Sequence, residues 1–267
     1  MNFRPDICVF ADRRALATAL SSYVAQAAQA SSVARGRFCI AFSGGSLMDL
    51  LAPALVAPSL RERIDWSTWH VFWVDERWVP PSSPDSNFGL ARRLLLSRVR
   101  IPEEQIHAVD DSNSPDETAR AYEAKIRRTL PVETDALPRF DMILLGLGED
   151  GHTASLFPGH PALRESRRWV VPVFNAPKSP PVRVTMTLPV INAARHVVFV
   201  AAGSGKAGIV AEVLHPAAGR PNLPTRMVKP TDGELHWFVD QDAAGKSTLA
   251  PVGDRSSVTG EEGSRLR

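Results

Sequence analysis

A chain of 267 residues with 44% hydrophobic side chains has the material for a substantial core and falls at the upper end of what one α/β domain uses. Its formal charge of +2 is small, and no Lys/Arg run is interleaved with aromatics, which argues against nucleic acid as a partner. Cys8 and Cys39 are too few for a disulfide framework and lack the CxxC spacing of a metal or redox site.

The first residues, "MNFRPDICVF", hold no apolar segment followed by a small-residue cleavage site, and the longest apolar runs fall far short of a bilayer's thickness. A soluble, unexported, cytoplasmic protein with no membrane partner is expected. Residues 12–30 set Leu16, Leu20, Tyr23, Val24 and Ala27 on one helical face, and "RFCIAF" follows as a buried strand. "WHVFWVD", "FDMILLG", "HVVFVAA" and "ELHWFVD" read as further strands. In "SPDETARAYEAKIRRTL", Ser114 and Glu117 make a capping box with Pro115 at the first helical position. Strands separated by helices predict an α/β fold, a mostly parallel sheet with helices on both faces. Proline-rich pieces at 79–84, 177–181 and 221–230 read as loops, and there is no internal repeat. From about residue 250 periodicity and apolar content fade. One domain over residues 1–249 and a flexible polar tail over 250–267 are expected.

In an open parallel sheet, ligands bind beyond the carboxyl ends of the strands, and four polar clusters fall at those ends. In "FSGGSLMDLL", Ser43, Gly44, Gly45 and Ser46 stand between a strand and an apolar helix, where backbone amides meet an anion; glycines at such a turn also serve purely steric ends. "VDERWVPPSSPDSNFG" carries Asp75, Glu76, Arg77 and Asn87. Adjacent charges are commonly a solvated rim or an ion pair, but the planar guanidinium of Arg77 suits two phosphate oxygens at once.

The third cluster, "GLGEDGHTASLFPG", is read as a strand giving way to a helix. Gly148 and Gly151 allow the bends that turn Asp150 and His152 toward one cavity. A lone histidine is more often packed in a core, yet packing does not explain "GEDG" ahead of it, and no second His or Cys stands nearby at metal-ligand spacing. In the fourth, "AAGSGKAGIV", Lys206 is followed by Ala207 where a nucleotide-binding loop has a hydroxyl for magnesium. That disfavours nucleotides and leaves Lys206 as a partner for a sugar phosphate or a solvated helix residue.

Together "SGGS", "DERWVP…DSNFG", "GLGEDGHTASLFPG", "RVTMTLPVINAA" and "GSGKAG", in this order, closely resemble the 6-phosphogluconolactonases, a family that shares its superfamily with glucosamine-6-phosphate deaminases. The likeness runs from about Ile7 to about Asp240. It implies a modified Rossmann-like domain that hydrolyses 6-phosphogluconolactone to 6-phosphogluconate, in the oxidative pentose phosphate pathway, without metal or organic cofactor. The partner implied is a small phosphorylated sugar lactone, and a monomer or weak homo-oligomer is expected. Carried onto this chain, His152 matches the general base and acid, Asp150 its acidic neighbour, and Arg77 and Lys206 residues associated with the phosphate. Ser43 to Ser46 match the glycine-rich loop, Asp75 and Asn87 belong with the substrate-binding set, and Arg183 lies in a motif typical of the lactonases.

Two alternatives stand beside this reading. In the deaminase branch a glutamate follows five residues after the histidine, where this chain has Phe157, and an apolar ring cannot relay a proton. A sugar-phosphate-sensing regulator would need a DNA-binding segment, for which no room is expected before the first strand. The chain also lacks a G-x-S-x-G elbow, so a serine acyl-enzyme is not favoured.

Overall fold

A computed structural model describes residues 5–110, 114–130, 132, 136–215 and 223–245. The tail expected over 250–267 lies outside the described residues, as do residues 221 and 222 of the third proline-rich loop.

The chain opens with β1 (Asp6–Phe10), α1 (Arg13–Arg35) and β2 (Phe38–Phe42). α1 outruns the 12–30 window because its ends are well capped. Asp12 accepts from the Ala15 amide at 2.7 Å, and Gly36, at φ +70°, returns its amide to the Ser32 carbonyl at 2.8 Å. α2 (Ser46–Leu55), α3 (Pro58–Arg61) and β3 (Trp69–Trp73) follow, and after one intervening residue the strand resumes as β4 (Asp75–Arg77). α4 (Asn87–Leu94) and α5 (Pro115–Thr129) lead to β5 (Met142–Gly146); α5 begins with the reciprocal Ser114–Glu117 capping box that the sequence predicts. The rest comprises β6 (Val170–Val173), β7 (Arg183–Met186), α6 (Leu188–Asn192), β8 (His196–Ala201), α7 (Ala207–Leu214), α8 (Pro224–Met227), β9 (Glu234–Asp240) and α9 (Gln241–Ala244).

Six strands form one sheet in the order β1-β9-β8-β5-β2-β3, every pair parallel. Alternate residues of each strand feed two separate cores, which is why the strands read as continuous apolar runs. Phe38, Ile40 and Phe42 pack with Leu16, Leu20 and Val24 of α1 and Met48 and Leu51 of α2. Cys39 and Ala41 face the other side, with Tyr122 and Ile126 of α5 and Val210 of α7. Burial of this kind stabilises by about 25 cal/mol per Å² of apolar surface removed from water.

The sequence reading contains no counterpart of the second sheet. β4, β7 and β6 pair antiparallel in the order β4-β7-β6 and cover part of the second core, with Val171, Val173 and Val184 buried there. Its register sets Arg77 directly opposite Arg183.

Candidate active site

The chain passes from β2 to β3 on one side, while β5 leads through β8 to β9 on the other, so the strand order reverses between β2 and β5. That is where an open α/β sheet leaves a crevice. A cleft of about 290 Å³ lies there, lined by Ser43–Ser46 after β2, Asp75 and Arg77 after β3, Gly146–Gly148 and His152–Ala154 after β5, and Lys206 after β8.

No α-helix follows β5, contrary to the sequence reading. Residues 147–160 form a chain of turns that ends in the 3-10 turn Pro161–Arg164. The two glycines of this loop serve different ends. Gly151 takes φ +78°, which favours glycine, and Thr225 pins it by donating its hydroxyl to the Gly151 carbonyl at 2.6 Å. Gly148 is required by space. A Cβ there would lie 2.0 Å from His152 Nδ1 and 2.6 Å from Asp150 Oδ1.

The loop brings His152 Nδ1 into a short hydrogen bond with Asp150 Oδ1. An ionised carboxylate only accepts, so Nδ1 carries the proton and Nε2 keeps its lone pair. The ring lies over the buried Phe157, with centroids 4.5 Å apart. Burial lowers the His152 pKa, and the bond and charge of Asp150 offset only part of that, so the imidazole favours its neutral form. Burial pushes the Asp150 carboxyl up, but the hydrogen bond and charge of His152, with Lys178 at 3.7 Å, hold it below its ordinary value.

The Asp75–Glu76–Arg77 run is not the solvated rim that adjacent charges commonly make: Asp75 and Glu76 are buried. Asp75 Oδ2 accepts from the Ser155 hydroxyl at 2.7 Å, tying the loop after β3 to the loop after β5. Glu76 accepts from the amides of Arg77 (2.7 Å), Asn87 (2.8 Å) and Phe88 (2.7 Å), and so fastens the start of α4. Burial outweighs those bonds and pushes its pKa up to about 7. Asn87 donates Nδ2 to the Asp75 carbonyl at 2.8 Å. Its Oδ1 sits so near Gly44 that a Cβ there would be 1.8 Å away, which explains a glycine with no positive φ.

Four cations line the cleft. Arg77 donates Nη1 to the Asp85 carbonyl at 2.7 Å, and Lys206 donates to the Leu147 carbonyl at 2.8 Å. Arg183 is buried, with its guanidinium 5.4 Å from the Phe157 ring centroid, and donates to the carbonyls of Pro180, Lys178 and Ser179 at 2.9–3.3 Å. Much of its hydrogen-bonding capacity thus shapes the 178–180 loop. That loop delivers Lys178, the fourth cation, which the sequence reading missed inside a proline-rich stretch. Ser155 is missed too, and Glu76 is read only as one of three adjacent charges with no role of its own; the partners that folding brings to them mark them out. Ser43 Oγ, Asn87 Oδ1 and Arg77 Nε are buried with no hydrogen-bond partner among the described residues. A buried polar atom left so costs about 1–3 kcal/mol, which suits a cleft whose ligand or water completes its bonds.

Every residue the sequence singles out for binding lines this cleft: Ser43, Gly44, Gly45, Ser46, Asp75, Arg77, Asn87, Arg183 and Lys206, together with His152. Asp150 stands behind His152.

The model of the family described as glucosamine-6-phosphate isomerases/6-phosphogluconolactonase matches residues 11–237. The human 6-phosphogluconolactonase is 44% identical over 242 residues, covering 89% of this chain and 92% of its own. The rat 6-phosphogluconolactonase is 43% identical over 242 residues, with the same shares. Among solved structures, the 6-phosphogluconolactonase from Trypanosoma cruzi superposes with a TM-score of 0.81 at 32% identity, covering 93% of this chain and 99% of that one.

Proposed function

Because the chain belongs to the glucosamine-6-phosphate isomerase/6-phosphogluconolactonase family, we infer that it hydrolyses 6-phosphogluconolactone to 6-phosphogluconate, the lactonase step of the pentose phosphate pathway. The observation that carries the mechanism is the imidazole of His152, held through Nδ1 by Asp150 in a cleft lined by four cations.

A lactone is an activated ester, so the reaction needs a positioned water and a proton carrier more than a covalent intermediate. His152 Nε2 takes a proton from water as its oxygen adds to the lactone carbonyl carbon. The tetrahedral oxyanion then collapses, the bond to the ring oxygen breaks, and the imidazolium returns its proton to that oxygen. Neutral imidazole is restored, and the new carboxylic acid releases its proton to solvent. Asp150 holds the reactive tautomer and supports the transient positive charge.

Arg77, Lys206 and the Ser43–Ser46 turn at the N-terminus of α2 hold the substrate phosphate in this reading, assisted by Lys178 and Arg183. Asp75 and Asn87 keep the loops in register and complete the substrate-binding set. The chemistry calls on no metal or organic cofactor. Phe157 beneath the imidazole speaks against deaminase chemistry, since the position offers no carboxylate for proton relay.

Residues 1–249 are read as one domain acting as a monomer or weak homo-oligomer in the cytoplasm. The pairing of β1 with β9, near the two ends of the described chain, supports the single domain, and no helix among the described residues is long and apolar enough to cross a membrane. The deciding experiment follows 6-phosphogluconolactone hydrolysis, with the spontaneous rate subtracted, in excess chelator. Full activity is expected. Loss on chelation that one added metal restores would overturn the cofactor-free mechanism.

A further inference from the structure

The opposite end of the sheet gathers groups that hydrolysis does not use. His196 opens β8, Glu234 opens β9, and His236 lies two residues along β9 on the same face. Glu234 Oε2 is 3.0 Å from His196 Nδ1 and 3.1 Å from His236 Nε2, and one ligand atom from each of the three residues falls within 4.8 Å of the other two. The second nitrogen of His236, Nδ1, is 3.6 Å from Asp6 Oδ2 on β1. Tyr23 of α1 closes the group, its hydroxyl 3.2 Å from His196 Nδ1 and its ring against that of His236.

We propose that His196, Glu234 and His236 form a binding site for a divalent transition ion of the zinc class, remote from the catalytic cleft. Two imidazoles and one carboxylate are the donor set that zinc accepts with water in the fourth position. Zinc bonds of about 2.0–2.1 Å put tetrahedral ligand atoms about 3.3 Å apart, near the two contacts already present. Asp6, 3.6 Å from His236 Nδ1, stands where a carboxylate backs a metal-bound histidine, on the side of the ring away from Nε2, which faces Glu234. His196 and Glu234 at the first residues of β8 and β9, with His236 at the third residue of β9, keep the donors at one end of the sheet, and the ion would tie β8 to β9, with Asp6 of the edge strand β1 beside His236. The role is structural, because the strands separate it from His152.

The test uses full-length protein without a histidine tag, stripped with chelator, desalted and titrated calorimetrically with zinc chloride. One equivalent should bind with a Kd of about 1 µM or tighter. At a hundredfold excess of free zinc over Kd, Tm should rise by about 5–10 °C. His196→Gln and His236→Gln should each weaken binding at least about tenfold, the scale of a lost metal ligand, while lactonase turnover in chelator stays at the wild-type level. Magnesium should neither bind nor compete, since it prefers an all-oxygen octahedron. Should either variant fold poorly, anomalous scattering from a zinc-soaked wild-type crystal decides, with a peak expected between His196 Nδ1, Glu234 and His236 Nε2. No zinc binding, equal binding by both variants, or a peak elsewhere would overturn the proposal.

Discussion

Asp150 and Glu76 are carboxylates just beyond β5 and β3, the two strands that flank β2, and their environments drive them apart. Asp150 is part-exposed, bonded to an imidazole and near Lys178, and is held below its ordinary pKa. Glu76 is almost wholly buried, bonded to three backbone amides, and pushed up to about 7. One carboxylate keeps its charge to work on a neighbour; the other spends its oxygens holding the cleft wall. The type of residue therefore says little about its task at these strand ends. Whether the partner is a side chain facing the cleft or the backbone behind it decides.

The sharpest way to break this contrast is at the group each carboxylate serves. His152→Ala should lower turnover by about 10²–10⁴-fold, the range for a lost general acid–base group, with Tm nearly unchanged. A histidine that merely packs would give the reverse, a lower Tm with turnover per folded molecule intact.

Arg77 stands next to Glu76 but faces the cleft. Arg77→Ala should cost about 2–4 kcal/mol in kcat/KM for the phosphorylated lactone, as when one partner of a desolvated charge pair is removed. The penalty should largely vanish with gluconolactone, itself a far poorer substrate. Equal turnover of both lactones by the wild type would remove the phosphate role from the cleft.

Glu76 sharpens the comparison through stability. A carboxyl whose pKa is higher folded than unfolded keeps its full contribution below its ordinary value near 4.5, and that contribution falls as pH rises toward about 7. The wild type should lose up to about 3 kcal/mol relative to Glu76→Gln across that window, read from urea midpoints at several pH values. Parallel pH profiles for the two proteins would show that Glu76 is not held protonated by its burial.

Local chemistry made much of this fold legible. The runs that became β2, β5 and β8 are apolar on both faces because both faces are covered, and Ser114 and Glu117 mark a helix start within four residues. The Asp150–His152 pair was readable because acid, glycine and histidine fall within five residues. The β4-β7-β6 sheet was not readable. Its three short strands lie up to about a hundred residues apart in sequence, and β6 even contains Pro172. The roles of Lys178 and Glu76 escaped for a related reason, since they depend on Arg183 shaping a loop and on the amides of α4, neither of which leaves a local pattern. Gly44 is read from sequence as part of an anion-binding turn or as a steric glycine, and Gly148 as a bend; the structure shows each demanded by a side chain lying against it.

The role of Asp150 is tested most directly by the pH dependence of kcat/KM in the wild type and in Asp150→Asn. With burial lowering the His152 pKa and Asp150 partly restoring it, the wild-type acid limb should lie below pH 6.5. Asp150→Asn should move that limb to still lower pH and reduce the plateau by about 10–100-fold, less than His152→Ala, because the imidazole is present but no longer held in one tautomer. An acid limb that stays in place in Asp150→Asn, or a plateau equal to the wild type, would contradict the assignment of Asp150 as the residue that orients and tunes His152.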